Sequence, residues 1–352
     1  MTFETHHPLT LNSPRHAQRG VTLVELMVSV AIGALLMIGT ITVFMQSKTG
    51  FTVNESLARL QENANYAFDV LEPEIRMAQY WGLTSRTHKI QGKAGPADPT
   101  PAGLNVFNDC GPNWSIDLDR AVAGSNNAGY PWGTSCGGPF GGAAAPTSDS
   151  LELRRVTEDS LVLLTNGVIY MQTVRFQDPI LFTGNAIPLG YSVVNSQTHA
   201  LITRGFYVST NSSISTPTNA VPSLRQKLLV GALLGPSVVD VEVIPGVQDM
   251  QIQFGVDTDL EGTGAAAGRG TVDRYVSPND PIIVPGSVGF IPDARILAVR
   301  IWLLIRAERP ENGFTDTTNY VYADQNIPPP NDSFRRLLVS KTIYLRNARP
   351  GA

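Results

Sequence analysis

Apolar and polar positions divide the chain into three regimes. Residues 1–20 are polar and carry Arg15, Arg19 and the histidines His6, His7 and His16. Residues 21–45 are apolar apart from occasional Ser and Thr and one acid, Glu25, and contain no proline, lysine or arginine. At about 1.5 Å of rise per residue, a helix over that run is long enough for a hydrocarbon core of about 30 Å. Beyond it, Leu57, Leu60, Ala64, Ala67, Leu71, Ile75 and Ala78 recur every three or four positions, the one-sided stripe of an amphipathic helix. The pattern predicts one continuous helix from about Val21 to about Tyr80. Pro73 is expected to kink it, or to break it ahead of a short helix over 74–80, and Gly82 can end it. Gly33 and Gly39 permit close packing in the apolar half.

Helical periodicity is lost between Gln91 and Pro146, where eleven glycines and seven prolines fall within 56 residues. Loops with one or two short strands are expected there. From Leu151 a period of two takes over. Residues 151–176 and 200–208 are rich in Val, Leu, Ile, Thr and Tyr. Met250, Ile252, Phe254 and Val256 alternate with Asp249, Gln251 and Gln253. Leu297, Val299, Ile301, Leu303 and Ile305 face away from Arg300, Trp302 and Arg306, and a last strand carries Leu337, Val339, Ile343 and Leu345. One-sided strands of this kind build an antiparallel sheet with one face on the core, and the long helix is its natural cover. The expected class is α+β, divided into a leader (1–20), a membrane helix half (21–45), an amphipathic half (46–82), a Gly/Pro-rich loop region (83–150) and a β-rich body (151–352).

Charge and cysteine content refine this picture. The net charge is −4 and the basic residues are scattered, so no nucleic-acid surface is indicated. Arg15 and Arg19 precede the apolar run, which by the positive-inside rule keeps the leader cytoplasmic and sends the remainder across the membrane. No apolar stretch lies within 1–20, unlike an ordinary secretory peptide, and no cysteine stands at the junction as a lipoprotein anchor requires. Cys110 and Cys136 have no CxxC spacing. Outside the cytoplasm they are expected to form a disulfide contributing about 3 kcal/mol, the alternative being two buried thiols.

Glu25 is the anomaly. A carboxylate inside a membrane helix costs about 2.5–3.5 kcal/mol even on the lenient insertion scale. One reading is a tolerated charge near the interface, six residues past Arg19. The other starts from a cut after Gly20, which makes Val21 a cationic terminus four residues before Glu25, available for pairing on its own chain or a neighbour's.

The segment Arg19-Gly20-Val21-Thr22-Leu23-Val24-Glu25-Leu26 resembles the type IV prepilin cleavage and N-methylation motif. It departs from many members in having Val21 where they have Phe, and its leader is long. Within that class, Leu57-Ala58-Arg59-Leu60-Gln61-Glu62-Asn63-Ala64 and Arg76-Met77-Ala78-Gln79-Tyr80-Trp81-Gly82 resemble the PilW family of minor pilins. Many of those continue with Cys where this chain has Leu83, so the family's disulfide layout does not transfer. The resemblance resumes at Ile244-Pro245-Gly246-Val247-Gln248-Asp249-Met250-Gln251, Gly255 to Asp259, Asp273 to Val276, Ala298 to Arg306 and Leu345-Arg346-Asn347, while no resemblance is recognised across residues 90–240. It implies a pilin-like fold, a cut after Gly20 by the prepilin peptidase, methylation at Val21, and Glu25 as the subunit-pairing carboxylate. It also implies insertion in the inner membrane, contact with the assembly platform, and a place at the pilus tip with other minor pilins, the major pilin and a tip adhesin. Twitching motility or adhesion would follow, with no enzymatic activity. Two alternatives stand beside it: a minor pseudopilin of a type II secretion system, and a membrane-anchored periplasmic enzyme or binding protein.

Two further motifs bear on chemistry. Asp257, Asp259 and Glu261 supply oxygens at the first, third and fifth positions of an EF-hand-like opening, followed by Gly262. The twelfth position is Gly268, which has no carboxylate, so Asp273 would have to substitute. Calcium is the only cofactor this suggests, and an acidic hairpin turn explains the same residues. Enzymatic motifs are lacking: His88 and His199 stand alone, and neither HExxH nor G-x-S-x-G occurs. The glycines at 137–142 have no strand-to-helix context, and Gly262, Gly264 and Gly268 are spaced too widely for a dinucleotide fingerprint.

Overall fold

The computed structural model describes residues 20–85, 87–93, 104–259, 270–292 and 294–348. The leader and Glu261 therefore lie outside the described residues. Two compact units divide the chain at Glu55/Ser56.

In the first unit the chain is helical from Leu23, the start of a helix, α1, that spans Leu23–Met77. No proline interrupts its apolar portion, and the hydroxyls within it are satisfied locally. Ser29 donates to Glu25 O (2.7 Å), Thr40 to Leu36 O (2.8 Å), Thr42 to Gly39 O (2.8 Å), Thr49 to Met45 O (3.0 Å) and Thr52 to Lys48 O (3.1 Å). A hydroxyl that bonds a carbonyl one turn back can enter lipid without an unmet donor.

In the second unit α1 buries Leu60, Ala64, Ala67, Phe68, Leu71 and Ile75. Leu57, expected in the stripe, is largely exposed, and Phe68 contributes instead. No break follows Pro73: the helix runs on to Met77, with Glu74, Ile75 and Arg76 in its last turn. It stops before Tyr80 because Gln79 turns left-handed (φ 65°) and is captured by the sheet, donating its N–H to Arg154 O (3.1 Å).

Among the described residues this unit has thirteen strands: β1 (Val122–Ser125), β2 (Ser150–Val156), β3 (Ile169–Val174), β4 (Ile180–Thr183), β5 (Ser196–Ser209), β6 (Ser223–Val230), β7 (Ser237–Pro245), β8 (Val247–Asp257), β9 (Arg274–Val276), β10 (Arg295–Arg306), β11 (Tyr320–Tyr322), β12 (Gln325–Ile327) and β13 (Arg336–Tyr344). They form two antiparallel sheets and a separate hairpin, where the sequence pattern suggested one sheet. The first sheet is ordered β13-β10-β8-β9. Seven strands make the second, in the order β1-β2-β5-β3-β4, with β6 added on β5 and β7 on β6. The long β5 organises it, pairing with β2 and β6 on opposite edges and with β3 nearer its start.

The α1 stripe lies in one hydrophobic cluster with both sheets: Met250, Ile252, Phe254 and Val256 of β8, Val299, Ile301, Leu303 and Ile305 of β10, Leu151 and Leu153 of β2, and Phe206 and Val208 of β5. The outer face of β8–β10 is not solvated as alternation implied. Asp249 and Gln251 are buried, and Tyr322 of the β11–β12 hairpin covers them, donating its hydroxyl to Asp249 Oδ2 (2.7 Å). Leu304, Tyr320 and Tyr322 form a second small core on that side. In the Gly/Pro-rich region, Cys110 and Cys136 are joined across a Cα–Cα distance of 4.6 Å. They sit in a cluster with Trp114, Trp132 and Tyr207, so the bridge fastens an aromatic layer that its loop-rich segment would not hold by backbone bonds alone.

Candidate functional site: the processing segment and the assembly helix

Gly20, Val21 and Thr22 precede the helix in non-helical, exposed backbone, with Val21 66% exposed. The Gly20–Val21 bond is therefore open to a peptidase. Thr22 caps the helix that follows. Its Oγ1 accepts the Glu25 N–H at 3.3 Å, and its carbonyl accepts the Leu26 N–H at 3.1 Å. Thr22 and Glu25 thus have the spacing of a capping box, and the acid in the first turn complements the helix dipole. The Thr-x-x-Glu pattern carries this role for Thr22 in the sequence itself. Glu25 therefore has a local structural role in addition to any pairing role, and a test of the latter has to separate the two.

Behind this turn the helix is apolar on every side. Leu23, Val24, Leu35, Leu36 and Met37 are each at least two-thirds exposed, and by length and composition α1 suffices to cross a membrane. An all-round apolar helix of this kind is suited to lipid or to a bundle of similar helices.

Away from this segment, the structure brings together three of the four acids of the calcium motif. Oxygens of Asp257, Asp259 and Asp273 lie within 4.8 Å of one another. Asp257 is buried; its Oδ2 accepts the Gly270 N–H (2.7 Å) and its Oδ1 the Asp259 N–H (3.1 Å). Asp273 Oδ2 accepts from Thr258 N–H and Oγ1 at 2.7 and 2.9 Å. An all-oxygen donor set suits a hard cation, and the same bonds also close an acidic turn between β8 and β9.

Among the described residues, His199 takes a structural place. His199 is buried, with Nδ1 2.7 Å from Thr157 O and Nε2 3.3 Å from Gln197 Oε1. Burial pushes its pKa down. Both ring nitrogens are engaged in bracing β5, and Gly82 packs against the ring where a Cβ would meet it at 2.9 Å.

A long N-terminal apolar helix together with antiparallel sheets is an α+β arrangement consistent with a pilin-like fold. Residues 15–41 match the prokaryotic N-terminal methylation motif, and residues 205–347 match the family described as Type IV Pilus-assembly protein W. These two matches, at the N-terminal segment and over the C-terminal part, make the chain similar to PilW-family type IV pilins and support a membrane-anchored pilin. No curated protein and no solved structure matches it.

Proposed function

We propose that the chain enters the inner membrane with residues 1–20 in the cytoplasm and its β-rich body in the periplasm. The prepilin peptidase cuts after Gly20 and methylates Val21. The mature subunit then joins other minor pilins in a complex that primes assembly and remains at the pilus tip, beneath a large adhesin and above the major pilin. The observation that carries this reading is the position of the helix cap: Thr22 closes the N-terminus of an all-round apolar helix one residue after the proposed cut. Cleavage thus yields a charged amine at the start of a helix ready to leave lipid for neighbouring helices. Twitching motility and adhesion follow as the cellular outputs.

Intact-mass analysis of the chain purified from cells with and without the peptidase tests the proposal. The expected result is a chain beginning at Val21 and carrying one methyl group when the peptidase is present. A chain that retains residues 1–20 in its presence overturns the reading.

Calcium binding is a separate proposal, supported by the convergence of Asp257, Asp259 and Asp273. Millimolar calcium is expected to raise Tm, and Asp257→Asn to abolish the rise. A Tm indifferent to calcium leaves only the acidic turn.

A further inference from the structure

The smaller sheet ends on a long strand with an open side. In the order β13-β10-β8-β9, the nine-residue β13 (Arg336–Tyr344) is the last strand on one edge. Its antiparallel pairing with β10 runs from Arg306↔Arg336 to Ala298↔Tyr344 without a register shift. Bonds just beyond the two ends give the phase of the ladder: Ala307 N–H donates to Arg335 O (2.8 Å) and Leu345 N–H to Leu297 O (2.9 Å). Odd-numbered residues of β13 therefore turn their backbone groups to β10. Leu338, Ser340, Thr342 and Tyr344 each turn an N–H and a C=O to the open side, where no described residue bonds them.

The other edges are short or plugged. β1, β4 and β9 have four, four and three residues. Gln91 lies against β4, donating to Pro179 O (2.8 Å) and accepting from Leu181 N–H (2.8 Å). Phe107 covers the start of β7 in the same way, through Pro236 O (2.8 Å) and Val238 N–H (3.0 Å), and β7 is irregular further on. Proteins ordinarily shorten, bulge, cover or charge an edge in this manner. β13 has neither proline nor bulge, and its two cations are drawn away from the open side. Arg336 pairs with Asp316 (3.0 Å) and Asp332 (2.6 Å), and Lys341 bonds Glu72 of α1 with its Nζ 5.8 Å from the Phe68 ring centre.

Alternate N–H and C=O groups along an extended edge match a second extended strand, which offers the same groups at the same spacing. The side chains narrow the choice. On the face toward α1, β13 carries Leu337 and Val339, packed against the main core; on the other it carries Ser340, Thr342 and Tyr344, the last 62% exposed. A strand that is apolar at alternate positions suits both faces at once. We propose that the open edge of β13 takes up an extended segment of a partner protein as a further strand. It pairs antiparallel, as the other strands of this sheet do, with its apolar residues beside Leu337 and Val339. The edge is open whichever filament the chain enters, and failure of the proposal would leave the assignment to pilus assembly untouched.

The probe is a fluorescein-labelled peptide of about eight residues that alternates threonine and valine, a usual strand length, added to the full chain in detergent. Fluorescence anisotropy reads its binding. In the antiparallel arrangement the threonines bond β13 and the valines lie on the α1 side. N-methylation of the threonines removes the donors that face the edge and is expected to weaken binding about a hundredfold, whereas N-methylation of the valines should change it less than about threefold. Thr342→Pro removes one outward donor, a change an edge strand tolerates, and should weaken binding about tenfold at unchanged Tm. Bound peptide should slow hydrogen exchange about tenfold at the amides of Leu338, Ser340, Thr342 and Tyr344. The amides of Leu337, Val339, Lys341 and Ile343, already bonded to β10, should exchange as before. Should Thr342→Pro fail to fold, the two methylated peptides decide the matter. No binding, equal weakening by both methylations, or protection that misses the four outward amides overturns the proposal. So does a dimeric chain whose outward amides are protected without peptide, because the edge then belongs to a second copy.

Discussion

Glu25→Ala is expected to leave processing intact and to exclude the mature chain from assembled pili. The proposed cut at Gly20–Val21 lies ahead of the helix, and removing a carboxylate that costs about 2.5–3.5 kcal/mol in lipid makes insertion easier. Assembly is different. When the helix exchanges lipid for neighbouring helices, the Val21 amine of one subunit and Glu25 of the next can neutralise each other in a low-dielectric setting. Removing one partner of such a pair leaves the other charge buried, at a cost of about 3–5 kcal/mol, or about two to three orders of magnitude in association. Immunoblots should therefore show cleaved protein at normal levels in the membrane and almost none co-purifying with the other minor pilins. Because Thr22 and Glu25 also have the spacing of a capping box, with the Thr22 hydroxyl accepting the Glu25 N–H, Glu25→Gln separates the two roles. Glutamine at this position serves a capping box as glutamate does, but it carries no charge. If Glu25→Gln assembles normally, the cap is the whole of the residue's role and the pairing account is wrong.

The cap itself shows what pattern reading sees and what it subsumes. Thr22-x-x-Glu25 is a helix-start signature, yet inside the longer Gly–Val–Thr–Leu–Val–Glu motif it reads as part of a processing site. Strands β8 and β10 were legible because their core positions are uniformly aliphatic or aromatic at a period of two. Strand β6 was not, because Arg225 and Lys227 are buried within it. Their partners lie on β7: Arg225 bonds Asp240 (2.6 Å) and Glu242 (2.8 Å), and Lys227 bonds Asp240 (2.8 Å). A window of neighbouring residues registers the cations and misses the anions that neutralise them across the hairpin. The same holds for the outer face of β8, where Asp249 looks like a solvent position until Tyr322, far along the chain, covers it. Unlike these, a cavity beside the end of α1 left no trace in any local pattern, since its walls come from separated segments.

Buried charge also sets the largest expected effect on stability, at Glu74. This residue sits in the last turn of α1, directly after Pro73, and is 7% exposed. Both its oxygens are engaged by Arg155 of β2, with Nε and Nη2 each at 3.0 Å. Arg204 of β5 adds a contact at 3.4 Å. One carboxylate thus ties the helix end to two strands of the larger sheet. Burial pushes the Arg155 pKa down, and the bonds and charges of Glu74 and Glu158 together more than reverse it, leaving it raised. Glu74→Ala removes the anion and leaves two guanidinium groups close together, with Glu158, itself largely exposed, the remaining acid on Arg155. The expected loss is about 3–5 kcal/mol, a fall in Tm of about 10 °C for a unit of this size. Replacing both partners by apolar groups should restore most of it, because the double variant Glu74→Leu/Arg155→Leu buries no uncompensated charge on that pair. Thermal melts of the two single variants and the double variant form a closed cycle. A Glu74→Ala loss below about 1 kcal/mol is the size expected of a solvent-screened surface pair, and it would mean that apolar packing at Leu71, Ile75 and Ala78 holds the helix end by itself.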